Sequence, residues 1–238
     1  MPDKPDVAIE LRSVEKDYRS LRPLRVRALT VREGESIALL GFDRASAEVL
    51  VNLITGATVP DCGEVLVFDR LTSAIQDAES WLASLDCFGI VSERAVVLDN
   101  MTVADNLAMT LTMALHDLEA SIREKAQTIA EEVGLSMDDL VRPVAALSAG
   151  ARLRLRLGRA LMPDPKVLLA EHPNAVLEPG DHARFAADYA RIVSRRRLAS
   201  VVLTADSAFA GAITSRILTL EPASGELKRL SVWRRLFR

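Results

Sequence analysis

The sequence predicts an α/β fold with an all-helical insertion, on three observations. Short strand-like runs alternate with helix-like runs over most of the chain. Two apolar runs, "KVLLA" (166–170) and "SVVLT" (200–204), have the unbroken hydrophobicity of parallel strands covered on both faces. Between about residues 94 and 150 helical periodicity takes over, and no internal repeat or low-complexity linker interrupts the chain.

Each element has its own local reason. "VAIEL" (7–11) and "RVRALTV" (25–31) read as strands, and the turn "REGE" (32–35) leads into the apolar "SIALL" (36–40). A helix follows, with Val49, Leu50, Leu53 and Ile54 on one face. "PDCGEVLVFD" (60–69) is a glycine-containing turn and a strand, and "FGIV" (88–91) is a short buried strand. Residues 103–115 and 118–133 carry helical spacing, with Gly134 as the C-cap of the second helix. "RLRLRLG" (152–158) fits two templates. It alternates with period two, yet Leu153, Leu157, Ala160 and Leu161 also make a helix face. Asp181 to Arg195 fits a crossover helix between the two apolar strands.

Composition narrows the function. A chain of 238 residues, 49% hydrophobic, buries a full core as one large domain or two small ones. A net charge of −3 and only 4% aromatic residues argue against nucleic acid as a partner. Cys62 and Cys87 form neither metal-ligand spacing nor a disulfide framework, and read as small buried hydrophobes. The N-terminus has no apolar signal segment, and no apolar run reaches the ~18 residues that span a bilayer. The expected location is the cytoplasm, with any membrane association made through a partner.

One stretch bears on chemistry. In "LGFDRASAEVLVNLITG" (40–56) a strand, a glycine, a loop and a helix follow the frame of a phosphate-binding loop, G-x-x-x-x-G-K-[ST]. Gly41 opens the frame, but Ser46, Ala47 and Glu48 stand at the second glycine, the lysine and the hydroxyl.

Other segments follow in a telling order: "KDY" before the loop, then "GIVSERAVVLDNMTVADNLAM", "LSAGARLRLRLGRAL", "PKVLLAEHPNAVLEP" and "VVLTADSAFAGAITSRILTLE". Together they resemble the ATP-binding cassette of ABC transporters, from about Val7 to Arg229. The resemblance implies a P-loop NTPase (RecA-like) core, an antiparallel β subdomain and an inserted helical subdomain. It places the cassette at 1–229, with the core at about 1–93 and 152–229, the helical subdomain at about 94–151, and a basic, aromatic tail at 230–238. It also makes 152–161 a helix.

The resemblance assigns positions one by one. Tyr18 matches the aromatic that stacks on adenine; its other reading is an exposed loop tyrosine. Glu93 replaces the Q-loop glutamine. Glu171 and His172 take the places of the Walker B aspartate and the catalytic glutamate. Glu178 stands at the D-loop aspartate, and Ala205 at the switch histidine. Ser148 and Gly150 of "LSAGA" match the signature that faces a γ-phosphate across the family's dimer, although Ser148 also reads as a plain helix N-cap.

These substitutions predict a damaged nucleotide site. Ala47 removes the cation that meets the β and γ phosphates. Glu48, facing a phosphate at ~4 Å, costs on the order of 4 kcal/mol at an effective dielectric of about 20. Placed in the first helical turn, it is instead an anion welcomed by the helix dipole. A carboxylate is able to ligate Mg²⁺, but ATP and Mg²⁺ are expected to bind weakly or not at all at the chain's own site. A histidine, as at His172, is a residue type suited to general-base work, but alanine at 47 and at 205 removes two of the supports hydrolysis would need. No metal ligand set is evident.

The resemblance thus implies a pseudo-ATPase subunit that lends Ser148 and Gly150 to a second cassette, as a homo- or heterodimer, at the inner face of the cell membrane. An integral membrane permease would dock near Glu93 to Met101. The tail Leu230 to Arg238 would touch lipid or a partner, or fray. Two alternatives stay open: a regulatory module of this fold that binds no nucleotide, and an active ATPase with unorthodox residues.

Overall fold

The computed structural model describes residues 6–115 and 118–230. Two sheets organise them. The first is antiparallel, in the order β2-β1-β4-β5, from β1 (Val7–Lys16), β2 (Leu24–Arg32), β4 (Cys62–Val67) and β5 (Arg70–Leu71). The second has six strands, in the order β10-β9-β3-β8-β7-β6. Its members are β3 (Ser36–Leu40), β6 (Phe88–Val91), β7 (Val167–Glu171), β8 (Ala199–Leu203), β9 (Ile217–Glu221) and β10 (Glu226–Arg229). All its pairings are parallel except that of β10 with β9.

The apolar runs become the centre of the parallel sheet because both faces are covered. Val167 and Leu169 of β7 point into a core shared with the antiparallel sheet and with α1 (Arg44–Ile54). Leu168 and Ala170, one residue out of phase, point into a second core on the opposite face. That core takes side chains from α3 (Val103–Ala108), α4 (Ala120–Val133), α6 (Ala149–Leu161), α7 (His182–Arg196) and α8 (Ser207–Ile213). The period-two geometry of a strand thus sorts one apolar run between two cores. Helix α7 is the crossover between β7 and β8, as its position in the chain predicts.

Helices α3, α4, α6 and the short α5 (Met137–Leu140) pack together, with α6 running back to the sheet. Segment 152–158 is wholly helical. Its alternating arginines lie on the rim while Leu153, Leu155 and Leu157 are buried, so the packing of a wide apolar face overrides the period-two pattern. Gly134 caps α4 with φ +81°, its N–H bonded to the Ala130 and Glu131 carbonyls.

Three sequence expectations are corrected. The helix expected over 103–115 ends at Ala108. Beyond it the backbone tightens into turns, with Leu111 N and Thr112 N both donating to Ala108 O at 2.9 and 3.1 Å, while Thr110 Oγ1 donates to Leu107 O at 2.9 Å and Thr112 Oγ1 accepts from Ala114 N at 3.1 Å. The cysteines are not both buried: Cys62 is exposed and Cys87 half-buried. Cys62 opens β4 beside a register irregularity against β1, ahead of the part that enters the core. A helix missed in the sequence is α2 (Ala78–Leu85), which carries Trp81, Leu82 and Leu85 yet has no fully buried residue. Among the described residues no helix is long and apolar enough to cross a membrane. The tail proposed at 230–238 lies outside the described residues beyond Leu230.

Candidate functional site

The phosphate-loop frame folds as a strand, a left-handed glycine and a helix. Gly41 has φ +86°, and a Cβ there would stand 3.0 Å from Leu220 O. Only glycine turns the chain so tightly against β9. Asp43 then caps α1. Its Oδ1 accepts from Ser46 N at 2.8 Å, and Ser46 Oγ accepts from Asp43 N at 2.9 Å. This reciprocal capping box satisfies a helix-end donor with the protein's own carboxylate. The Ser46 hydrogen bonds hold the Asp43 carboxyl below the usual carboxylate range, so it is an anion at neutral pH.

The neighbouring positions follow from that turn. Ala47 is fully buried in the apolar core under the loop and presents no charge. Tyr18 lines a small cavity of about 150 Å³ together with Gly41, Asp43 and Ser46. The tyrosine and the loop are therefore brought together, around the Asp43 carboxylate.

Glu48 lies beyond the first turn of α1, because the helix starts at Arg44; this corrects the expectation of a dipole-stabilised first-turn anion. Its partner is a cation. Arg94 Nη1 donates to Glu48 Oε1 at 3.1 Å, and the same guanidinium donates from Nε to Glu171 Oε2 at 3.1 Å and from Nη2 to Glu171 Oε1. Ser92 Oγ donates to Glu171 Oε2 at 2.7 Å. Glu171, at the end of β7, is only 8% exposed, so it needs this counter-charge. The bond to Glu171 holds the Arg94 pKa above its usual range.

Around this bridge lie the remaining predicted residues. Glu93 pairs with Arg44 at 3.1 Å and lines a narrow crevice with Glu171 and His172. His172 has left-handed backbone, φ +44°, and its buried Nε2 has no partner among the described residues. Ala205 is exposed, and Thr204 Oγ1 beside it donates to Asn174 Oδ1 at 2.8 Å. Glu178 is exposed ahead of the turn Pro179–Asp181. Among the described residues no three His, Cys, Asp or Glu gather as a metal site.

Ser148 and Gly150 belong to a different face. Ser148 is the N-cap of α6, accepting from Ala151 N at 3.2 Å, and it is exposed. A Cβ on Gly150 would meet nothing nearer than Leu177 Cδ2 at 3.8 Å, so packing within the chain does not require glycine there.

Sequence reasoning missed Arg94. The signal was available: Glu48, Glu93 and Glu171 placed in one site demand a cation, and Arg94 adjoins Glu93.

Comparison with known proteins converges on one family. The family model described as ABC transporter matches residues 24–175. A methionine import ATP-binding protein of Pseudomonas syringae is 30% identical over 200 residues, covering 82% of this chain and 59% of that protein. A sulfate/thiosulfate import ATP-binding protein from the same species is 30% identical over 220 residues, covering 90% and 64%. The chain thus spans less than two thirds of the length of these relatives. Among solved structures, the dimeric bacterial ABC transporter cassette MJ0796 superposes with a TM-score of 0.77 at 22% identity, covering 93% of this chain and 97% of that one. CbiO1 of Clostridium perfringens, part of the cbiONQ transporter complex, gives 0.81 at 17% identity, covering 98% and 91%. At these identities the structural matches establish the fold.

Proposed function

The chain belongs to the ABC transporter family, and on that premise we propose that it is a cassette subunit whose own nucleotide site is closed by its own side chains. The observation that carries this reading is the Arg94 guanidinium held between Glu48 and Glu171. In the family's arrangement those two positions serve the metal and the phosphates. Here a protein cation bridges them, while the lysine position is Ala47 and Asp43 supplies an anion to the helix end. The residues present do not fit Mg²⁺-ATP, and no hydrolytic step is derived for this chain.

The signature face supports a role toward a partner. Ser148 is exposed, and packing within its own chain does not require glycine at position 150. We therefore read the chain as a pseudo-ATPase that lends this face to a competent second cassette. In this reading the segment 94–151 is the helical subdomain and Glu93 to Met101 meet a membrane permease. The subunit works at the cytoplasmic face of the membrane. The relatives named for import of methionine and sulfate favour an importer. Their names as ATP-binding proteins also support a second reading, in which the retained loop still binds ATP.

Calorimetry of the purified chain with ATP, with and without Mg²⁺, separates the two. The closed site predicts no saturable binding up to millimolar ATP; a micromolar Kd overturns it. The lending role predicts that Ser148→Trp lowers the ATPase activity of the co-purifying cassette at least tenfold. Unchanged partner activity overturns that part.

A further inference from the structure

Helix α1 has a second end. About 16 Å from its capped N-terminus, Ile54 and Thr55 form part of a cavity of about 410 Å³ that the nucleotide-site reading does not use. We propose that this cavity binds a small amphiphilic carboxylate, its apolar body among Ile54, Val67, Phe68 and Phe88 and its head group held by Arg70 and Lys166.

Four observations carry this. The volume lies in the range of small-molecule sites, roughly 300–1,000 Å³. The walls are mainly apolar, while the charged residues that line the cavity are both cations, Arg70 and Lys166. Both are exposed, which sets them where the cavity meets solvent. Neither has an ion-pair partner among the described residues; Lys166 rests its Nζ 5.4 Å from the centre of the Phe68 ring. Two unpaired cations over an apolar hollow match a ligand with one anionic end.

Thr72, only 5% exposed, and Cys87 complete the wall. The Cys87 thiol in the wall donates to Ser84 O at 3.1 Å; burial pushes its pKa up to about 11, so it brings no opposing negative charge.

The cavity also has a wall suited to opening. Helix α2 contributes Ser80, Ala83 and Ser84, yet none of its residues is buried. It is tied to α1 by Trp81 Nε1 donating to Thr55 O at 3.1 Å. With only Trp81, Ser84 and Leu85 half-buried and none fully buried, α2 is a wall that yields at lower free-energy cost than the core helices.

The test uses the full chain with decanoate and, as an uncharged control, decanol. Calorimetry should give saturable one-to-one binding of decanoate, weakened at least tenfold in the Arg70→Gln, Lys166→Gln double variant, with decanol affinity unchanged. Amide shifts in an NMR titration should cluster at Ile54, Val67 and Phe88. Ala83→Trp, which fills the cavity from α2, should abolish binding of both probes while the thermal melt stays that of a folded protein. Failure of decanoate to saturate, equal affinity in the charge variant, or shifts elsewhere overturns the proposal. Should Ala83→Trp unfold the chain, the charge variant decides alone, since both its positions are exposed.

Discussion

Replacing Arg94 by alanine isolates the bridge between Glu48 and Glu171. Its contact with Glu48 joins side chains 42% and 44% exposed, worth about 0–1 kcal/mol. The contact with Glu171 matters more, because that carboxylate is 8% exposed. Stripping the partner from a fully buried pair costs about 3–5 kcal/mol. Solvent reaches Arg94, and Ser92 Oγ still donates to Glu171, so about 2 kcal/mol is the better figure. The total of about 2–3 kcal/mol corresponds to a fall in Tm of roughly 4–12 °C for a domain of this size. Restoring neutrality should recover part of it: Arg94→Ala with Glu171→Gln should be more stable than Arg94→Ala alone, with a coupling of about 1–2 kcal/mol. Freed of the guanidinium, the two carboxylates attract a divalent cation, so Mg²⁺ should raise the Tm of Arg94→Ala and leave the wild type unchanged. Urea denaturation and thermal melts with Mg²⁺ or a chelator read both effects. A variant melting within 1 °C of wild type, or an equal Mg²⁺ effect on both proteins, would refute the reasoning.

Three smaller effects are expected. Asp43→Ala should cost about 1 kcal/mol at pH 7 by uncapping α1; because the folded carboxyl pKa is depressed, this contribution is complete above the unfolded value near 4 and fades as pH falls through the folded one, so urea midpoints of variant and wild type should converge at low pH. Gly41→Ala should lose about 1–2 kcal/mol, since an L-residue at φ +86° is strained; chemical denaturation measures it. Gly150→Ala should leave stability within about 0.5 kcal/mol, because its Cβ would make only ordinary contacts, the nearest Leu177 Cδ2 at 3.8 Å, and a larger loss would show that the chain itself requires that glycine.

How far the sequence carried depended on the range of the interactions involved. "FGIV" became β6 over its whole length because three large apolar residues around a glycine, bounded by turns, have few other uses. Segment 152–158 satisfied two periodicities at once, and only the core on α3, α4 and β6 chose between them. Past Ala108 the chain changes from helix to tight turns, with two amides sharing the Ala108 carbonyl and threonine hydroxyls bonding locally, and such local competition leaves little trace in periodicity. In the candidate site, the residue types at Ala47 and Glu48 were readable from the frame around Gly41. The cation between Glu48 and Glu171 was not, because Arg94 lies 46 residues from Glu48 and 77 from Glu171 along the chain. The capping box was within reach: Asp43 and Ser46 are three residues apart at the start of a helix.

The Asp43–Ser46 box also bears on how the subunit responds to its surroundings. A loop whose donors await a ligand is stabilised by mass action as that ligand accumulates, by RT ln(1 + [L]/Kd). Asp43 is part of the chain and always present; if the proposed closed site holds, the loop would keep its shape at any nucleotide concentration. Such a subunit would be equally folded in starved and energy-rich cells. In a cassette pair, sensitivity to cellular ATP would then belong to the other half alone.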